Sequence, residues 1–306
     1  LTWGYAQQVQ DTIQSTIDLK EVTISALQAT SETPVAYTNL TKKDLGQRNL
    51  GVDMPNLLQF LPGVVSTSDA GAGIGYTGIR VRGSDATRIN VSINGIPYND
   101  AESQGTFWVN LPDFGSSVGT LQLQRGVGTS TNGAGAFGAS INLTTDRMSD
   151  AAYVQLSNSF GSFATRKHTM MFSTGPISNQ FELSGRLSKI DSDGYIDRAS
   201  SDLKSYFLQG IFRDGNTQIK ALAFGGFERT YQSWFGIDET TLKTNRTYNP
   251  AGENYDSEGN VIGFYEDQVD NYNQDHYQLH WQQAFNTYWS LALGLNYTYG
   301  RGYYQE

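Results

Sequence analysis

The chain has 306 residues, a formal net charge of −9, 33 Gly, 18 Tyr and no Cys. An acidic chain without a basic run is a poor nucleic-acid binder, because phosphate neutralisation needs clustered Lys and Arg. The lack of Cys excludes a disulfide framework, a thiol nucleophile and Cys metal sites, and no apolar run approaches the ~20 residues of a membrane helix. Abundant Gly and Tyr with only 17% charged residues point to an all-β protein, either a soluble sandwich or an outer-membrane barrel.

Leu1-Thr2-Trp3-Gly4-Tyr5-Ala6 looks like the end of an apolar signal-peptide core with small residues at the cleavage site, so residues 1–6 read as a signal-peptide remnant. Residues 7–34 are polar and sustain no period, which predicts a flexible segment. Within it, Asp18 to Ala26 is a short β-prone run with Val22 and Ile24 alternating. Such a run suits addition to the edge of another protein's sheet, or serves as the first strand of the next domain.

Residues 35–148 form the first predicted folded unit. Asp53 is placed to cap a short helix with Pro55 in its first turn and Leu57, Leu58 and Leu61 on its apolar face. Strands are predicted around Ile79–Arg82, Ile89–Ile93, Val118–Arg125 and Ile141–Leu143, with Asn94-Gly95 as a hairpin turn. Gly73-Ile74-Gly75-Tyr76-Thr77-Gly78 matches the spacing of a dinucleotide fingerprint. That fingerprint needs a strand before it and a helix after it. Here a strand follows, so the glycines are expected to let a loop approach another surface, and no nucleotide is called for.

Residues 149–306 switch to long period-two strands. Phe181, Leu183 and Leu187 alternate with Glu182, Ser184, Arg186 and Ser188, and Leu291, Leu293, Leu295 and Tyr297 alternate with small or polar residues. Seven strands are expected, several longer than the ~5–6 residues usual in soluble sheets. Tight connections at Gly175 to Asn179, Asp214-Gly215-Asn216 and Asn286-Thr287 alternate with longer ones at Asp191 to Asp202 and Trp234 to Asn273. Short turns on one side and long loops on the other mark an outer-membrane barrel. His276 and His280, four apart on a strand, lie too far from each other to share one metal and read as lumen-facing. Asp191, Asp193 and Asp197 lack the bidentate Glu of a calcium loop. No triad or carboxylate pair stands out as catalytic.

Leu57 to Val64, Ile79-Arg80-Val81-Arg82-Gly83, Val91 to Pro97, and Gln124-Arg125-Gly126 through Asn142 follow one another in the order and spacing of a known domain. The chain resembles the plug domain of TonB-dependent outer-membrane receptors. The run from Asn99 to Asn110 is most similar to Bacteroidetes-type members. The resemblance implies an α+β plug domain (35–148) followed by an all-β transmembrane antiparallel barrel, present only in part (149–306), since plugged barrels have about 22 strands. It places a Ton box in the 7–34 segment, with Leu19, Glu21, Val22, Thr23 and Ile24 binding TonB by strand addition. In a plug sealed inside a polar barrel, Arg80, Arg82 and Arg125 are expected to anchor to carboxylates.

Tyr76, Tyr98, Asn99, Asp100, Phe107 and Trp108, in loops between plug strands, together with Trp234 at the start of the longest loop, are the candidate ligand contacts. The implied protein is not an enzyme. It is a receptor and active transporter in the outer membrane of a Gram-negative bacterium, in contact with lipid, without cofactor or metal site. Its implied ligand is a ferric siderophore or other iron chelate. A TonB-dependent importer of glycan or peptide is the alternative, and a passive porin or β-rich adhesin is a further one.

Overall fold

The computed structural model describes residues 28–128 and 135–306. The signal-peptide remnant, the predicted Ton box and residues 129–134 lie outside the described residues.

The chain enters through β1 (Ala36–Thr41) and α1 (Lys42–Gly46). Thr41 and Asp44 form a reciprocal capping box at the start of α1, each side chain accepting the other's backbone N–H. Helix α2 (Met54–Leu58) begins at Asp53 with Pro55 in its first turn. Asp53 does not cap it, because its Oδ2 instead accepts from Thr77 Oγ1 at 3.1 Å. Burial pushes the Asp53 carboxyl well above the ordinary carboxylate range.

Strands β2 (Val64–Ser68) and β3 (Thr77–Val81) pair as a separate ribbon. Next come β4 (Ile89–Ile93), β5 (Ile96–Pro97), β6 (Val118–Arg125) and β7 (Ala139–Thr145). With β1 they build a five-stranded sheet in the order β1-β6-β7-β4-β5. Asn94 and Gly95, both with positive φ, turn β4 into β5 as the sequence predicts. Leu58, Val81, Ile93, Leu123 and Ile141 close the core.

The second unit comprises β8 (Tyr153–Phe160), β9 (Arg166–Ser173), β10 (Phe181–Ser192), β11 (Ser201–Asp214) and β12 (Thr217–Tyr231). A long connection follows, carrying α3 (Glu239–Thr244) and the ribbon of β13 (Glu253–Tyr255) and β14 (Val261–Phe264). Strands β15 (Val269–Ala284) and β16 (Ser290–Gln305) complete the unit. Seven of these strands form one antiparallel sheet, ordered β8-β9-β10-β11-β12-β15-β16. The number matches the seven read from the alternation. Strands β12, β15 and β16 run 15, 16 and 16 residues, beyond the ~9–11 needed to cross a bilayer.

The polarity of this sheet is the reverse of a soluble sandwich. The face turned to the first unit is polar yet buried, with Glu182 1% and Gln209 0% exposed, while Leu156, Leu187 and Tyr297 on the other face are 71%, 60% and 63% exposed. Phe181, Phe212, Ile219, Trp281 and Leu293 lie side by side in one cross-strand row of that apolar face. A row further along the same strands, Arg166, Asp191, Asp202 and Arg229, is charged and marks the end of the apolar band. Water would penalise such a face, whereas the hydrocarbon of a bilayer would cover it.

Candidate functional site

The first unit rests on the polar inner face of the sheet, and the two sides of that junction differ. At β9 and β10 it is sealed. Asp113, at the start of the 3-10 turn Phe114–Ser117, sits 2.6 Å from Lys167 Nζ and 3.3 Å from Arg186 Nη1. Its carboxylate also accepts from Asn49 Nδ2, Ser116 Oγ, Thr169 Oγ1 and Ser188 Oγ at 2.6–2.9 Å. Arg186 donates further to Ser117 Oγ at 2.8 Å and Ser205 Oγ at 3.0 Å. All three charges are buried, so each would be costly alone. Burial acts to raise the Asp113 pKa, but Arg186 and Lys167 outweigh it and hold the carboxyl well below the usual range. Close approach is built into the backbone as well. A Cβ on Gly226 of β12 would lie 2.6 Å from Asn110 O and from Pro112 Cδ, and one on Gly75 would lie 2.8 Å from Ser201 Oγ. The glycine-rich loop thus serves tight packing, as expected.

Toward β15 and β16 the junction opens into a cavity of about 600 Å³. Tyr76, Tyr98, Asn99, Asp100 and Phe107 line it from the first unit, facing Glu228 of β12 and inward residues of β15 and β16. Tyr76 donates its hydroxyl to Asp270 Oδ2 at 2.5 Å, and Tyr98 donates to Gln274 Oε1 at 3.2 Å. The Tyr98 ring lies 5.2 Å from His276, which stacks on Phe224 at 4.9 Å. Burial, then the neighbouring Glu228 and the bond to Asp270, push the Tyr76 phenol far up, so it stays a donor. Burial does the same to Tyr98. Backbone N–H bonds from Ser103 hold Asp100 below the ordinary range, and its carboxylate stays ionised.

The predicted contacts separate on this geometry. Asn99 lines the cavity, but its side chain is committed to Val91 N, Ile89 O and Gln104 O and so positions the loop. Trp108 is not on the cavity wall: at 2% exposure it belongs to the core, because the 3-10 turn Trp108–Asn110 is drawn against β12 by the missing side chain of Gly226. Trp234 stands one layer out, edge-on to Tyr76 at 6.2 Å and stacked on Tyr304.

Among the described residues none of Arg80, Arg82 and Arg125 lies within ion-pair distance of a carboxylate. Arg82 donates to Arg125 O at 3.3 Å and Arg125 to Thr38 Oγ1 at 2.8 Å. At the junction between the two units, a carboxylate of the first, Asp113, instead pairs with two cations of the sheet, Lys167 and Arg186. Lys42 and Asp146, at the end of the first unit, pair with each other. Sequence reasoning also missed Glu228, Asp270, Tyr272 and Gln274. Their parity on β12 and β15 was readable from the alternation that places His276 inward, but their height along the strand was not.

A TonB-dependent receptor plug domain family matches residues 29–140. No curated protein matches the chain. The ferric yersiniabactin uptake receptor of Yersinia pestis superposes with a TM-score of 0.68 at 13% identity, over 89% of this chain and 42% of that one. The ferric preacinetobactin receptor of Acinetobacter baumannii gives 0.68 at 13% identity, over 88% and 38%. A P. aeruginosa receptor bound to heterologous pyoverdines gives 0.62 at 16% identity, over 87% and 34%. The fold is therefore a plug domain seated against part of a barrel of inverted polarity. Residues 29–140 thus match the plug domain of TonB-dependent receptors, and the chain spans about 34–42% of the length of these solved structures.

Proposed function

We propose that the protein is an outer-membrane receptor and active transporter of a Gram-negative bacterium, which imports a ferric siderophore or other iron chelate with energy from TonB. The observation that carries this reading is the cavity at the plug–sheet junction, lined by aromatic and polar groups from both units. A plug blocks passive flow, so a ligand captured above it enters only when the plug is remodelled. The outer membrane has no ATP, and the work must come from a partner across the periplasm.

In this reading residues 18–26, outside the described residues, are the Ton box, with Leu19, Glu21, Val22, Thr23 and Ile24 supplying the added strand. Their pull would reach the plug at Ala29, whose backbone N–H and C=O bond to the Gln122 side chain at 2.7 and 2.9 Å. From there it would reach β1, the edge strand paired to β6. The solved neighbours include receptors named for ferric yersiniabactin and ferric preacinetobactin, which favours an iron chelate over a glycan or peptide.

Ile24→Pro in the full-length receptor removes a backbone donor that strand addition needs. Uptake is expected to stop while surface binding persists, and normal uptake would refute the Ton box assignment. Expression is expected to rise under iron starvation. Expression that follows a glycan or peptide supply instead would replace the ligand and leave the transporter.

A further inference from the structure

This inference rests on reading the cavity as the ligand site, and it concerns the charge of what enters. The two sides of the plug–sheet junction carry opposite balances. At Asp113 one carboxylate faces two cations. At the cavity, Asp100, Glu228 and Asp270 line the wall, and among the described residues no Lys or Arg does. Asp69, whose backbone N–H bonds to Tyr76 O, adds a further acid behind that ring. On the same strands, Arg229 and Arg301 stand on the outer face, engaged by Asp267 at 2.9 Å and Asp275 at 2.7 Å, while Lys220 of β12 faces inward but does not line the cavity. They do not compensate the inside.

A second observation points the same way. Asn110, buried on the cavity wall, leaves its Oδ1 without a hydrogen-bond partner. Three of the donors that face the cavity are already used: the Tyr76 hydroxyl goes to Asp270, the Tyr98 hydroxyl to Gln274, and His276 bonds to Thr298 and Gln274. The wall therefore adds an unpaired acceptor, Asn110 Oδ1, to the carboxylates of Asp100 and Asp270. A buried acceptor stays costly until a donor meets it, and neighbouring carboxyls of like sign are relieved by a cation. Tyr98, Phe107 and Tyr272 also line the cavity, and aromatic rings attract cations and repel anions at their faces.

We propose that this cavity takes the cationic, hydrogen-bond-donating part of its ligand, an ammonium or guanidinium group, and disfavours chelates whose outer surface is anionic. Uptake would then select among iron complexes by the charge of their periphery.

The 306 residues contain no Cys, which permits a direct test in the full-length receptor made free of other cysteines. Thr298→Cys places one thiol on the wall. Two methanethiosulfonates of similar size, one with a trimethylammonium and one with a sulfonate, compete to modify it, each forming a mixed disulfide and releasing methanesulfinate. Relative to free cysteine, the cationic reagent is expected to be favoured by at least about tenfold. The preference should shrink in 1 M salt and fall further when Glu228→Gln and Asp270→Asn are combined. Ala101→Cys, on the plug side of the same cavity, repeats the measurement if Thr298→Cys disturbs the sheet. Equal rates, or faster reaction of the sulfonate, at both positions overturn the proposal. Labelling needs neither TonB nor ligand. Charge-indifferent labelling in a receptor whose uptake still fails with Ile24→Pro therefore sinks the cation preference alone.

Discussion

The plug meets the sheet in two ways that use the same residue chemistry to opposite ends. Around Asp113 every buried charge has a counter-charge and nearly every polar atom a partner, so separating the surfaces would strand two cations and one carboxylate. Around the cavity, carboxyls gather without cations and Asn110 Oδ1 is unpaired. Complete satisfaction makes the first region a latch, whereas incomplete satisfaction leaves the second with an unmet acceptor beside its carboxyls. The two regions are joined by one short stretch, Trp108 to Ser117, which carries Asn110 at the cavity end and Asp113 at the latch end. A ligand that shifts Asn110 therefore acts three residues from the latch.

Asp113→Asn should strike the latch hardest. Asn tolerates the left-handed φ of 54° at this position but leaves Lys167 and Arg186 buried without a carboxylate. The expected loss is about 3–5 kcal/mol of plug docking, seen as increased entry of a bulky antibiotic into cells carrying the full-length receptor. Because the folded pKa is depressed, the latch contributes fully above about pH 4 and fails only in stronger acid. Antibiotic entry through the wild type should thus not vary between pH 5 and 8.

Gly226→Val tests whether the two regions share a backbone contact. Its side chain would collide with Asn110 O and Pro112 Cδ, at a cost of about 1–3 kcal/mol. Both antibiotic exclusion and ligand binding should worsen together, and a change in only one would separate the regions.

Asp53 sharpens the contrast by pH. This buried plug aspartate has no cation, and its folded pKa is raised. The folded state therefore holds a proton the unfolded state gives up. Its contribution is full below about pH 4 and falls by at most about 1.4 kcal/mol per pH unit until the folded pKa is passed. Asp53→Asn should flatten that slope in thermal melts recorded across pH, and an unchanged slope would show that Asp53 does not titrate with folding.

Tyr98→Phe is the mildest change. It keeps the ring on His276 and deletes only the bond to Gln274. Ligand affinity should fall about 2- to 10-fold, from about 0.5–1.5 kcal/mol. Antibiotic exclusion should stay intact, because Tyr98 is outside the latch.

Strands, turns and polarity were open to reading from local pattern. Period-two alternation specified seven long strands, Asn94-Gly95 specified a hairpin, and several spaced motifs specified the plug, since each depends on residues close in the chain. Whether the apolar face turned inward or outward was already hinted by strand length. What neighbouring residues cannot encode is depth and partnership across the junction. Asp113 follows a proline in an ordinary-looking turn, and nothing near it announces Lys167 and Arg186. Glu228 and Asp270 are inward by parity but reach Tyr76 only because the plug docks at one height. Trp108 looks like a loop aromatic until the bare backbone of Gly226 admits its turn into the core. Desolvation and Coulomb energy depend on distances that only docking of the plug establishes, so tertiary structure decided which carboxyl is locked between cations and which faces the open cavity.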